Sequence, residues 1–328
     1  FRVKIVSFSI AMITAGRLLE KKGPKITAGL GTFLFGLGYV IASLSEGNYA
    51  LLLLGVGLIT GIGIGFAYVC PLTIGMKWFP NNKGLVTGVS VAGFGGGAIL
   101  LSMLAEYLAQ TYLLNALHIF FLVGTVLGGI AFLSAFILSE PKQDLTVKKE
   151  KTTVDLKAYL TSPRFLLICL GLFGGTFAGL LTVGNLKPLA ESIGLSSGYA
   201  ALSISVFAVG NAIGRIAWGQ IHDKFGSKNT IIASLGFLGL ASVLLLIEMP
   251  AFVILLTILM IGIGFGGCFV IYASSIVETF GINFFTKLYP LCFLGYGLSA
   301  LVGPSIAGWI ADKTGSYFIA VVISAAIV

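Results

Sequence analysis

Gly16-Arg17-Leu18-Leu19-Glu20-Lys21-Lys22-Gly23-Pro24-Lys25 and Gly219-Gln220-Ile221-His222-Asp223-Lys224-Phe225-Gly226-Ser227-Lys228 are two copies of one signature. In each, an acid stands four residues after a glycine, a second glycine three residues on, and a lysine two further. Each copy forms a short charged break between long apolar runs, which reads as two related halves of one membrane protein. The 328 residues are 57% hydrophobic and only 10% charged, where a soluble domain carries about 25% charge.

Outward from the signatures, the apolar runs are Ile26–Leu44, Tyr49–Met76, Gly84–Ala105, Tyr107–Ser139, Phe165–Leu186, Ser192–Gly214, Asn229–Ile247, Met249–Val277 and Leu288–Ala311. Each approaches or exceeds the roughly 20 residues that cross a bilayer as a helix. Backbone groups in lipid must bond within their own segment, and the runs lack the alternation of barrel strands. Helices are therefore expected throughout. The short run Ile5–Gly16 and the final stretch Thr314–Val328 bring the expected segments to eleven. They read as a pair of six-helix bundles whose first helix is missing and whose last is truncated.

One long hydrophilic stretch, residues 139–164, divides an N-terminal bundle (1–138) from a C-terminal one (165–328). The halves echo each other again in Gly63-Ile64-Gly65-Phe66 and Gly262-Ile263-Gly264-Phe265. The net charge of +8 would suggest nucleic acid in a soluble protein. Here most Lys and Arg fall in alternate loops, so the signature loops and linker are expected on the cytoplasmic side of a plasma (inner) membrane. Glycines four apart (Gly57, Gly61 and Gly65; Gly84 and Gly88; Gly93 and Gly97) predict faces on which helices approach closely. Such faces serve static packing or let helices slide. Pro71, Pro290 and Pro304 are expected to kink or end their helices.

The chemistry concentrates at Arg215. It lies eight residues before Asp223, about 12 Å into the membrane at 1.5 Å per residue. A charge there costs from about 2.5 kcal/mol upward and must face a cavity or a partner. Glu106, Glu248 and Glu278 all fall near helix ends, which leaves Arg215 suited to a transient anion. Its planar fork fits a carboxylate. Asn211, one turn earlier, either orients the guanidinium or packs a helix. Tyr68, Tyr272 and Tyr296 either wall a cavity and donate hydrogen bonds or fill the interior. His118 is expected to be satisfied locally and His222 to be solvated in its loop. Gly16, Glu20, Gly23, Lys25 and Gly219, Asp223, Gly226, Lys228 are expected to act in gating. Asp223 would cap a neighbouring helix, and Glu20 and Asp223 would form ion pairs with the loop lysines. No enzyme constellation, catalytic residue, metal cluster or cofactor motif is read from the chain. Cys70, Cys169, Cys268 and Cys292 read as core residues.

The signatures resemble the most recognisable motif of the major facilitator superfamily. Lys77-Trp78-Phe79-Pro80-Asn81-Asn82-Lys83-Gly84-Leu85 followed by Ala92-Gly93-Phe94-Gly95 resembles the oxalate:formate antiporter family, related to the monocarboxylate transporters. Gly210-Asn211-Ala212-Ile213-Gly214-Arg215 with Trp218-Gly219 resembles the helix carrying that family's substrate-binding arginine. Leu301-Val302-Gly303-Pro304 with Ala307-Gly308-Trp309 fits the penultimate helix. The resemblance implies an all-α polytopic membrane protein of the major facilitator fold. It also implies a secondary active transporter of small organic anions, with the substrate in a central cavity between the bundles and a proton or counter-anion coupled to it. The chain departs from the pattern at two positions. Tyr296 stands where the oxalate transporter carries a lysine, so one fixed positive charge suits a monocarboxylate better than a dicarboxylate. Asn211 stands where monocarboxylate transporters carry an aspartate implicated in proton coupling, and an amide cannot titrate. The expected partners are the anion and the lipid bilayer, with no nucleic acid, and the chain is expected to work as a monomer. A drug or amino-acid facilitator, or a transporter-like sensor, is the alternative.

Overall fold

The structure, a computed structural model, describes residues 2–141 and 156–328. The expected linker at 139–164 therefore falls largely outside the described residues. Eleven helices follow in order: α1 (Arg2–Ser43), α2 (Tyr49–Trp78), α3 (Lys83–Thr111), α4 (Ala116–Ala135), α5 (Leu156–Leu160), α6 (Pro163–Val183), α7 (Leu186–Ser192), α8 (Ser197–Leu244), α9 (Ala251–Phe280), α10 (Ile282–Thr314) and α11 (Phe318–Ile327). Eight are long and apolar enough to cross a membrane. Large apolar side chains such as Ile130, Leu133, Leu167 and Phe252 point outward, as a lipid-facing surface requires.

α1 and α8, at 42 and 48 residues, are too long for one crossing. Each is broken at one glycine: Gly23 has φ 78° and ψ 176°, Gly226 has φ 74° and ψ 173°. That region is essentially closed to residues with a Cβ. The second glycine of each signature is thus the hinge between two crossings, and with it the helices give the eleven segments read from the sequence.

Lipid offers no hydrophobic drive for helices to associate, so close backbone approach has to supply the contact. α1 packs along α2 and α4, α8 packs along α9, and α6 packs along α10. Gly65 of α2 faces the Phe8 carbonyl so closely that a Cβ would lie 2.7 Å from it, and a Cβ on Gly31 would lie 2.7 Å from the Gly63 carbonyl. Gly36 meets Gly124 in the same way, inside a π-helical turn over Val123–Leu127. In the second half, Gly262, the counterpart of Gly63, and Gly266 press on the backbones of Phe207 and Asn211. Gly93 and Gly97 depart from the expected stripe: nothing lies within 4 Å of the space their Cβ atoms would fill. The prolines end no helix. Pro71 sits inside α2, and Pro290 and Pro304 inside α10.

The first four helices meet the rest chiefly where α3 lies along α8 and α1 along α10, with smaller contacts of α3 with α9 and of α2 with α10. Gly226→Ala forces a side chain into the hinge conformation, at a cost of about 1–3 kcal/mol. Its thermal midpoint in detergent is expected to fall by several degrees. Gly129→Ala, at an open helical position, is expected to change it little.

Candidate substrate site

The signature turns close one end of the molecule. Gly16 presses on the backbone of Thr286 with no room for a Cβ. Glu20 accepts a hydrogen bond from Thr286 Oγ1 and lies 3.7 Å from Lys287 Nζ. In the second copy, Gly219 and Gly84 face each other backbone to backbone, and Gly88 meets the Arg215 carbonyl. Asp223 Oδ1 and Oδ2 accept from the Gly84 and Leu85 N–H groups at 2.7 and 2.8 Å. These are orphan donors of the α3 N-terminus, where negative charge is favoured, so Asp223 caps a neighbouring helix as expected.

The expected lysine pairs differ. Lys25 and Lys228 are exposed and form no ion pair among the described residues. Glu20 pairs with Lys287 instead of Lys21, Lys22 or Lys25. Fully hydrated lysines gain little from such pairs. His222 also departs from expectation. It is buried against α9, with Nε2 3.2 Å from Ser227 Oγ and 3.3 Å from Glu278 Oε2. The first signature carries Leu19 at that place, so the repeat held no sign of it. His118 is satisfied locally by Asn115, at 2.8 Å.

Above the closed end lies a cavity of about 630 Å³. Arg215 and Val91 stand at its floor, where α3 meets α8. Its walls run along α3 to Glu106 and along α8 to Ile204, so it opens on the face opposite the signature turns. Arg215 is 5% exposed. Nη1 donates to the Val91 carbonyl, Nε donates to Asn211 Oδ1 at 3.2 Å, and the guanidinium carbon stands 5.1 Å from the centre of the Phe269 ring. No carboxylate pairs with it among the described residues. Glu106 belongs to the cavity mouth, fifteen residues of α3 beyond Val91, which is about 22 Å of helix, and it accepts from Gln110.

The structure brings Arg215, Asn211, Tyr68 and Tyr296 to this cavity. Tyr272 does not join them. It is fully buried behind the wall, against Gly171 of α6, and Phe269, three residues earlier on α9, takes the lining position. Tyr68 presents its ring. Its hydroxyl is buried beside that of Tyr289. Sequence reasoning also missed the Val91 carbonyl, which no side chain advertises, and the phenylalanines of the wall. In chains this apolar, phenylalanine carries no sign of which face it occupies.

The sequence profile of the Major Facilitator Superfamily matches residues 5–284 and 185–328. Among curated proteins, the chain is 26% identical to the uncharacterized MFS-type transporter YhjX of Escherichia coli (strain K12) over 310 residues, covering 92% of this chain and 75% of that one. It is 25% identical over 308 residues to the oxalate:formate antiporter of Oxalobacter formigenes (92% and 72% covered). It is 26% identical over 352 residues to monocarboxylate transporter 2 of Homo sapiens (95% and 72%). Among solved structures, a crystal structure of the transporter FucP in the outward conformation superposes with a TM-score of 0.78 at 16% identity, over 99% of this chain and 85% of that one. The proton:xylose symporter XylE superposes with a TM-score of 0.69 at 16% identity, over 99% and 83%. These likenesses carry the fold.

Removing the Asp223 cap should loosen the α3–α8 closure. A lost cap costs about 1 kcal/mol, a roughly fivefold shift in a two-state population. Spin labels on exposed Asn81 and Lys224, which flank Asp223 at the closed end, are expected to show a longer-distance component in Asp223→Ala that the parent protein lacks.

Proposed function

Because the chain belongs to the Major Facilitator Superfamily, we propose that this membrane transporter carries small organic anions, monocarboxylates above all, by secondary active transport. The observation that carries the reading is Arg215: a guanidinium that is buried, held in place by Val91 and Asn211, and without a carboxylate partner among the described residues. A guanidinium has five N–H donors. Two face protein oxygens here, and the remainder suit the two oxygens of a carboxylate. The names borne by similar proteins, an oxalate:formate antiporter and a monocarboxylate transporter, agree with this chemistry.

In this reading the anion enters through the open face and seats on Arg215, whose charge it neutralises. Asn211, accepting from Nε, fixes the plane of the fork, while Tyr68 and Tyr296 stand in the surrounding wall. Neutralisation lets the cavity close, and the signature turns separate to release the anion on the other side. An unneutralised charge enclosed in apolar surroundings costs from about 2.5 kcal/mol upward. The empty carrier therefore returns slowly, and exchange of one anion for another is the favoured cycle. Asn211 carries no proton between states, so the coupled species at this position is a counter-anion. The bundles comprise residues 1–138 and 165–328 with 139–164 as linker. The signature turns lie in the cytoplasm, the cavity opens outward, and one chain in the plasma membrane suffices.

Proteoliposomes test this with labelled pyruvate, which is ionised at neutral pH. Preloading with unlabelled pyruvate is expected to raise uptake at least tenfold over empty vesicles. Arg215→Gln is expected to reduce exchange at least a hundredfold while leaving the protein folded. Undiminished exchange in Arg215→Gln would remove the arginine from the mechanism.

A further inference from the structure

The walls around Arg215 say what the rest of the substrate is made of. Phe8, Tyr68, Phe94, Phe269, Phe293 and Tyr296 all line the cavity. They come from α1, α2, α3, α9 and α10 and form one continuous aromatic surface. Neighbouring ring centres lie 5.0 Å (Phe8–Phe293), 5.2 Å (Phe8–Tyr68), 5.9 Å (Tyr68–Phe94), 5.1 Å (Phe269–Tyr296) and 5.1 Å (Phe293–Tyr296) apart. The guanidinium is part of this surface through its contact with Phe269. The Tyr68 hydroxyl is turned into the protein beside Tyr289, so its cavity side is ring and not donor.

A hydroxylated or doubly charged body would lose water here and find few partners, which costs free energy for each unpaired group. An aromatic cage without a fixed charge would suit an organic cation, but Arg215 within the wall repels one. Phe94 differs from the other rings. It is 49% exposed, beside Gly93, Gly96 and Gly97, where an added Cβ would meet nothing within 4 Å, and Gly95, whose Cβ would touch the Arg215 guanidinium at 3.4 Å. It has room to settle on a bound molecule where its neighbours do not.

We infer that the transported anion is a monocarboxylate with an apolar body, an aromatic ring or branched alkyl group, which the aromatic wall holds while Arg215 holds the carboxylate. This rests on the organic-anion reading and narrows it. Formate and oxalate are poor ligands, the first for want of a body and the second for its second charge.

Equilibrium binding to the purified protein in detergent at pH 7 tests it, with formate, acetate, isovalerate, phenylacetate and oxalate as probes. Arg215→Gln in the same micelles measures partition into detergent, which is subtracted. Affinity is expected to rise from acetate to isovalerate by about two- to fourfold per added carbon and to phenylacetate by about thirty- to a hundredfold. Phe94→Ala is expected to lower the phenylacetate-to-acetate ratio about three- to tenfold, and Phe94→Tyr to restore it. A flat series, or formate or oxalate binding best, overturns the apolar-body inference and leaves the anion reading standing. Binding of no carboxylate at all overturns both.

Discussion

A single guanidinium resting on a backbone carbonyl organises this molecule. Arg215 of α8 donates to Val91 of α3 at the floor of the cavity, with Phe269 of α9 across its face. A neutral carbonyl locates the charge without cancelling it. A carboxylate in its place would have made a structural ion pair, stable and inert. The arrangement thus keeps an electrostatic debt at the centre of a membrane protein, which in the proposed function a visiting anion settles.

Just beneath that floor, glycines set how near α3 and α8 come. Gly84 faces Gly219, and Gly88 faces the carbonyl of Arg215 itself, so the geometry of the charged site and of the closed end are one geometry. The two signatures serve the same end with different chemistry. Asp223 holds bare helix N–H groups, while Glu20 holds a threonine hydroxyl and a lysine. The duplication preserved a backbone solution, a glycine hinge at 23 and at 226, more strictly than its side-chain partners.

That contrast explains what could be read in the sequence. Long uncharged runs dictate helices because lipid leaves the backbone no other partner, and Gly23 and Gly226 announce their turns because no other residue tolerates them. Arg215 is legible because charge in an apolar run has to be accounted for. What faces what is not. α9 is apolar on every side, so nothing in its residues says that Phe269 lines the cavity while Tyr272 backs onto α6. The glycines at 93 and 97 share the spacing of those at 84 and 88, yet only the latter meet a neighbour. His222 was hidden because burial at a helix end depends on the neighbouring α9, where Glu278 waits.

The central claim is that the counter-charge of Arg215 arrives with the substrate. A structure determined with a halogen-labelled monocarboxylate, such as iodobenzoate, located by its anomalous signal, tests this most directly. The account predicts the carboxylate on the Arg215 fork with the iodinated ring among the aromatic side chains. Label elsewhere in the cavity, with Arg215 paired to a carboxylate of the protein, would contradict it.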